Sequence, residues 1–374
     1  MAITLLGFGK IGRAIYQDMV SHTRGMQIDV YDPFGRFPEQ APPGVKFHRE
    51  DPFTGTNRKK IFRKGSVIAS ALPAHLREEL FLSVERNGSR LVDITFGNDP
   101  ISKEKLSSGG DFVIVPDAGL APGISNLLVG HLASKFEKVE SVRIFVGGVP
   151  DREIPPLNYK VVFSMDSVID EYVNPCTIIS GGRKKVVEAL TGLENIEFAG
   201  KKYEAFFTDG LRTLVHTMSN VENMFEKTVR YKGHCERVKL LRDLGFFSPE
   251  KIEIDGSGVP PRRISEAVLE KALGNPECGD TVLLRVIAEG RVNGKMKRYT
   301  AEMIDSSPSG SELTSMARTT AFPASILTLM LHEDKGNLGK LSGYVPVENI
   351  GSDQRAFQSI SNELADRGIN ISIS

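Results

Sequence analysis

The 374-residue chain has no tryptophan, three cysteines and no excess of either charge. Each absence excludes something. Cys176, Cys235 and Cys278 are far apart and lack a CxxC or paired-histidine pattern, so neither a disulfide framework nor a metal site is expected. They read as small apolar residues in packed positions, suited to a reducing cytoplasm. Lys+Arg and Asp+Glu both total 47, which removes the global field that nucleic acid or an anionic membrane surface would need. No apolar run reaches the length of a membrane span, so no membrane partner is expected. The opening "MAITLLGFG" shows no basic region and no small-residue cleavage site, and no secretory signal is expected. No GxSxG elbow and no metal-ligand histidine spacing occurs, which leaves a hydrolase without a nucleophile.

What is present begins at the first turn. Ile3 to Leu6 form a short apolar run suited to a buried parallel strand, followed by Gly7, Gly9 and Gly12, with Ile11, Ala14, Ile15 and Met19 at helical spacing behind them. In GxGxxG between a strand and a helix, Gly7 allows the tight turn and Gly9 lets backbone approach a pyrophosphate. Gly12 lets helix and strand pack closely. Phe8, Lys10 and Ile11 complete the loop, and the helix N-terminus adds free N–H groups. A second strand, "MQIDVYD", ends at Asp32, about 20 residues past Gly12, where this fingerprint places an acid on the adenosine ribose. Asp32 would repel a 2′-phosphate, so NAD is favoured over NADP, a preference that Arg36 weakens without reversing.

Strand and helix keep alternating. Val67 to Ser70 reads as a strand with a helix started by Pro73, Leu91 to Ile94 as another strand, and Phe112 to Val115 as one more, with a helix from about Pro122. Ligands of such sheets sit at the carboxyl ends of strands, which puts Ala71, Leu72, Pro73, Thr95, Asp117, Ala118 and Gly119 near a bound nicotinamide. After about Ser134 the runs shorten: "YKVVF", "CTIIS" and "YEAFF" alternate or are aromatic, and Asn293-Gly294 joins two strand-like runs as a hairpin turn. Gly245 and Gly274 are expected to stop two helices, and "AFPASILTLMLHEDKG" reads as a long apolar helix. The expected fold is α/β: a Rossmann domain over residues 1–130, an α+β substrate and dimerisation domain with a mainly antiparallel sheet over 131–315, and a segment 316–374 returning to the Rossmann domain.

One stretch, "FFTDGLRTL", sets Asp209 and Arg212 around Gly210 in apolar surroundings. These charges can pair with each other and hold the domain together. They can also receive the ammonium and carboxylate of an amino acid, since Arg212 can grip a carboxylate with two parallel hydrogen bonds. Asp117 follows a Rossmann strand, and His234 begins a helix whose dipole favours neutral imidazole; both are candidates for moving protons. Tyr159 and Arg230 are supporting candidates, each equally at home as a core tyrosine and a solvated arginine.

The blocks "PDAGLAPGISNL", "VGGVP", "YKVVFSMDSVIDEYVNPC", "FFTDGLRTL" and "EKTVRYKGH" together resemble the saccharopine dehydrogenase-like family, most closely its lysine 6-dehydrogenase branch. The resemblance implies a homodimer with a Rossmann domain interrupted by an α/β substrate domain. It implies NAD(P)-linked oxidation at a carbon bearing nitrogen, with Asp209, Arg212 and Thr213 at the substrate. On this reading lysine is oxidised at its ε-carbon to the semialdehyde. A saccharopine-type reaction would need a second carboxylate receptor, for which Arg230 or Arg262-Arg263 are candidates. A carboxynorspermidine-type enzyme uses the same imine chemistry. A non-catalytic dinucleotide sensor is the rival from another class, and it has no need of a zwitterion grip.

Overall fold

A computed structural model of the chain describes residues 2–23, 25–97, 101–107, 109–161, 164–274 and 277–374. The chain divides into two compact units, one made of Met1–Lys135, Arg212–Thr217 and Ala317–Asn370, the other of Phe136–Leu211, Met218–Met316 and Ile371–Ser374.

The first unit is built on a parallel sheet of β1 (Ile3–Leu6), β2 (Ile28–Tyr31), β3 (Val45–His48), β4 (Val67–Ser70), β5 (Arg90–Asp93) and β6 (Val113–Val115). Their spatial order is 3-2-1-4-5-6 counting from β3, and the short strand Gly343–Tyr344 is added in parallel beyond β6. Strands β1 and β4 are buried at every residue, which is why they read as unbroken apolar runs rather than alternating ones. Leu6, Tyr31, Ile68, Leu80, Leu91 and Ile114 form one core cluster with Phe53 and Phe62. The order reverses between β1 and β4, and in open α/β sheets that reversal opens a crevice at the strands' carboxyl ends. The expected helix behind Pro73 is a short 3-10 turn, Ala74–Leu76, running into Arg77–Asn87. The helix expected from Pro122 starts at Ile124.

The second unit holds a nine-stranded mixed sheet. It contains β7 (Lys138–Pro150), β8 (Cys176–Ser180), β9 (Arg183–Val187), β10 (Glu194–Phe198), β11 (Lys201–Phe207) and β12 (Asn223–Arg230), the hairpin Asp280–Val292 with Lys295–Ser307, and the edge strand Ile371–Ile373. Pairing is antiparallel except between β7 and β12. The hairpin turns on Asn293 and Gly294, whose φ values of 51° and 72° are the positive pair a tight two-residue turn requires. Beside the parallel β12, Gly147 is fixed by space, since a Cβ there would meet the Val229 carbonyl at 2.1 Å. The sheet buries two apolar clusters: Phe206 packs with residues of the helices Met165–Val173 and His234–Asp243, while Tyr203 and Ala205 pack with Phe145, Val229 and Leu283. Of the run "YKVVF", Tyr159 to Val161 is irregular backbone rather than strand, and 162–163 lie outside the described residues. Gly245 ends its helix in left-handed conformation at φ 85°, whereas Gly274 caps its helix with ordinary right-handed geometry. The expected apolar helix spans Ser315–His332, and its residues from Ala317 onward belong to the first unit.

Candidate functional site

The glycine loop of the first unit meets the requirements of a phosphate cradle. Gly7 sits at φ 90°, and a Cβ on it would lie 2.5 Å from the Ala71 carbonyl; a Cβ on Gly12 would lie 2.2 Å from the Gly7 carbonyl. Both are demanded by the protein's own backbone. Gly9 is different. Its φ of −73° suits any residue, and nothing lies within 4 Å of where its Cβ would be. The fold does not require glycine there, but a ligand approaching the backbone would. Helix Lys10–His22 begins at that point with no side-chain cap, leaving its first N–H groups for an anion. Lys10 is exposed and Ile11 half-buried at this end. Phe8 is buried against Tyr16, Phe37 and Phe47, so its side chain is core and only its backbone faces the loop. That backbone N–H donates to Asp32 Oδ2 at 2.7 Å, and the Phe34 N–H donates to Asp32 Oδ1 at 2.8 Å. The carboxylate is therefore aimed, and it ties the end of β2 to the loop.

Ala71, Leu72 and Pro73 follow β4 and are not buried. Thr95 follows β5, where its hydroxyl donates to the Leu72 carbonyl and to Asp93 Oδ1. Ala118 and Gly119 are buried, so the Ala118 side chain offers a cofactor no surface.

Next to these strand ends lies a ladder of alternating charge. Arg77 Nε donates to Asp93 Oδ2 at 3.3 Å, and its Nη2 donates to Asp117 Oδ1 at 2.6 Å. Arg212 Nε reaches Asp117 Oδ2 at 3.5 Å. Burial is the largest influence on Asp93 and pushes its carboxyl up, against the pull of Arg77. Asp117 has a guanidinium on each oxygen, so it anchors Arg212. Arg212 ends the ladder. Its side chain is 1% exposed, it lies 4.4 Å from the Phe96 ring centroid, and both Nη1 and Nη2 are buried with no hydrogen-bond partner among the described residues. Asp117 and Arg212 both hold left-handed backbone, at φ 55° and 51°, a strain that is kept only where surrounding contacts enforce it.

Those contacts are visible. Thr217 Oγ1 donates to Glu348 Oε1 at 2.7 Å, and Asn126 Nδ2 donates to Glu348 Oε2 at 3.0 Å and lies 3.5 Å from Thr213 Oγ1. Thr213 is thus bound into the bracket that pins residues 212–217. Arg77, Asp93, Asn126 and Glu348 were not singled out from sequence. Asp93 at the end of β5 and Arg77 opening the helix before that strand are the signals that point to two of them.

The second unit gathers the other candidates. Along β12, Glu226, Thr228 and Arg230 share one face by the two-residue repeat of a strand. Arg230 Nη2 donates to Glu171 Oε2 at 3.0 Å, Nη1 donates to the Val229 carbonyl, and the guanidinium lies 4.8 Å from the Tyr159 ring centroid. Tyr159 is 1% exposed, and burial raises its phenol well above the ordinary value. His234 does open a helix, as expected, but both ring nitrogens are engaged: Nδ1 is 2.8 Å from the Leu157 carbonyl, which must accept, and Nε2 is 2.9 Å from the Tyr172 hydroxyl. Burial, followed by the charge of Arg230, lowers its pKa to about 3. His234 is a neutral brace with no free lone pair, which removes the reason for assigning it base function. Asp209 also has a local task, accepting the Thr177 N–H at 3.1 Å. Asp209 and Arg212 have separate partners and belong to separate units, so the mutual ion pair is not what the structure records.

Comparison with known proteins places this arrangement. Residues 119–369 match the family model described as Saccharopine dehydrogenase C-terminal domain. The saccharopine dehydrogenase [NADP(+), L-glutamate-forming] of Pyricularia oryzae is 19% identical over 55% of this chain and 49% of its own length. The alpha-aminoadipic semialdehyde synthase of Arabidopsis thaliana is 26% identical over 53% of this chain and 20% of its own length. The match thus spans about half of the fungal relative and a fifth of the plant one. Among solved structures, apo saccharopine dehydrogenase (L-Glu forming) from Saccharomyces cerevisiae superposes with a TM-score of 0.75 at 18% identity, covering 100% of this chain and 99% of that one. The homospermidine synthase of Legionella pneumophila in complex with NAD gives a TM-score of 0.62 at 10% identity, covering 100% and 91%.

Proposed function

Since the chain belongs to the Saccharopine dehydrogenase C-terminal domain family, we propose that it is a nicotinamide-dinucleotide-linked oxidoreductase acting on a nitrogen-bearing carbon of an amino acid. One observation carries this reading: a buried guanidinium, Arg212, whose two terminal nitrogens have no hydrogen-bond partner among the described residues. Its charge is paired with Asp117, but buried donors left without an acceptor still cost about 1–3 kcal/mol each. Two parallel N–H donors fit a carboxylate, and a substrate carboxylate completes the ladder that Asp117 begins.

The residues at the loop fit a dinucleotide. Backbone of Gly7 to Gly12 would hold its pyrophosphate and Asp32 its ribose hydroxyl, which favours NAD, and when bound the cofactor supplies the hydride acceptor. The substrate of this proposal is L-lysine, oxidised at the ε-carbon. A C–H bond breaks as hydride leaves, a C=N bond forms, water adds, and ammonia departs with the semialdehyde as product. The net reaction releases one reduced cofactor, one ammonium and one proton per lysine. Support for a substrate with one carboxylate comes from the other arginines. Arg230 is engaged by Glu171 and Arg262 by Asp166, Asp170 and Glu266, so neither is a free second receptor for saccharopine, and the remaining candidate, Arg263, is exposed. A polyamine without a carboxylate, the reading suggested by the homospermidine synthase fold match, would leave Arg212 unanswered.

The test is reduction of NAD by the full chain, screened across lysine, saccharopine, ornithine and carboxylated polyamines. Lysine is expected to lead. Reduction driven by saccharopine alone would replace the substrate, and silence with all four would end the oxidoreductase reading.

A further inference from the structure

The second unit contains a mismatch that the proposed reaction has not yet used. Glu226 is 4% exposed, and its Oε2 has no hydrogen-bond partner among the described residues. Among the described residues neither Glu226 nor Asp209 has an ion-pair partner, and the one guanidinium on the same strand face, Arg230, is already paired with Glu171. The fold makes room for this carboxyl at a particular point. A Cβ on Gly210 would lie 1.7 Å from Glu226 Oε1 and 2.2 Å from its Cδ. Gly210 is right-handed or extended, not forced by φ, so the space for Glu226 is what requires glycine in "TDGLR".

We propose that Glu226, with Asp209 beside it, receives a primary ammonium group of the substrate. The inference deepens the proposed function and rests on it for the word substrate. The geometry stands in one unit: a buried carboxyl oxygen, Oε2, with no partner among the described residues, a second carboxylate at its side with one oxygen on Thr177, and a missing side chain at Gly210 over the carboxyl. A buried acceptor is costly until a donor arrives, and an ammonium brings three.

The groups facing Glu226 explain its resting state. Burial raises its carboxyl first, then the charges of Asp209 and Glu171, to about 8, so it holds a proton at neutral pH. Cys176, whose thiol burial and then Asp209 and Glu226 push up to about 12, stays neutral. Arrival of R–NH3+ exchanges that proton for the ammonium: the carboxyl O–H bond breaks, the proton goes to solvent, and the carboxylate pairs with the cation. Charge is conserved, and one proton is released per amine bound.

The experiment uses the full chain with saturating NADH, so that no oxidation occurs, at pH 7. L-lysine, 1,5-diaminopentane and L-norleucine are titrated into wild type and Glu226→Gln. Proton release and the infrared band of a protonated carboxyl are read together. Wild type is expected to release about one proton per bound diamine or lysine and to lose the carboxyl band. Glu226→Gln is expected to lack the band, release no proton and bind the diamine at least tenfold more weakly. If norleucine also triggers release, the ammonium taken is the α-group; if it does not, it is the ε-group. Equal binding to both proteins without proton release overturns the proposal, and so does failure of every amine to bind wild type. A matching melting temperature at pH 5 shows that the variant is folded. Failure of the oxidoreductase reading would appear separately, as amine-linked proton release without NAD reduction by any amino acid.

Discussion

The two units treat buried charge in opposite ways. In the first, Asp93, Arg77, Asp117 and Arg212 alternate in sign, both carboxylates of the ladder meet a guanidinium, and it ends with two nitrogens that have no partner among the described residues. In the second, Arg230 is taken by Glu171, His234 is neutral between Leu157 and Tyr172, and the group left without a partner among the described residues is the carboxyl of Glu226. A complete network reads as structure. A network missing one partner reads as a receptor, and the sign of what is missing names the ligand's charge. One unit leaves buried donors and the other a buried carboxyl, and the proposed amino-acid substrate rests on that contrast.

Variants can break this contrast in order of effect. Arg77→Ala removes the guanidinium shared by Asp93 and Asp117 and is expected to cost about 3–5 kcal/mol of stability in a denaturant titration. A cost below about 1 kcal/mol would show that the ladder is not the frame of the site. Arg212→Ala is expected to lower kcat/KM for lysine by about 2–4 kcal/mol, with NAD affinity unchanged, because a charge-assisted contact to substrate is lost. An equal loss in NAD binding would make Arg212 structural. Glu226→Gln is expected to act the other way on the fold. Its folded-state pKa, about 8, lies above the ordinary 4.5, so wild type carries this group's favourable contribution below pH 4.5 and loses it as pH rises to 8. The variant's melting temperature should therefore gain on wild type from pH 5 to pH 8, and a constant difference would refute the raised pKa.

Smaller effects sharpen the roles assigned to His234 and Gly9. Tyr172→Phe leaves His234 Nε2 without its donor and is expected to cost about 1–3 kcal/mol of stability while leaving the pH profile of kcat unmoved. A changed acid or base limb would return His234 to catalysis. Gly9→Ala meets no protein atom, so the fold should be untouched while NAD affinity falls about tenfold, or about 1.4 kcal/mol. Unchanged affinity would mean that no phosphate approaches there.

Much of the first unit could be read from the sequence because its signals are local. Buried parallel strands are apolar runs, the glycine loop spans six residues, and Asp32 follows at a fixed distance. Strand β3 escaped notice because "VKFH" is short and half-exposed at a sheet edge. The site was less legible because its partners are remote in sequence: Arg212 meets Asp117 across 95 residues, and Glu348 meets Asn126 across 222. "FFTDGLRTL" correctly marked a charged motif in apolar surroundings, but its two charges are handed to different units, a fact that adjacency conceals. Glu226 was within reach. In "EKTVR" the two-residue repeat of a strand puts Glu226 on one face with Thr228 and Arg230, and a buried glutamate calls for a partner.

The central claim is that the terminal nitrogens of Arg212 take the substrate's carboxylate. It is tested most directly by comparing kcat/KM for L-lysine with that for 1,5-diaminopentane, the same chain without the carboxylate, in wild type and Arg212→Ala. The account predicts that wild type prefers lysine by about 2–4 kcal/mol and that the substitution brings the ratio close to one. A preference that survives the substitution intact would contradict it.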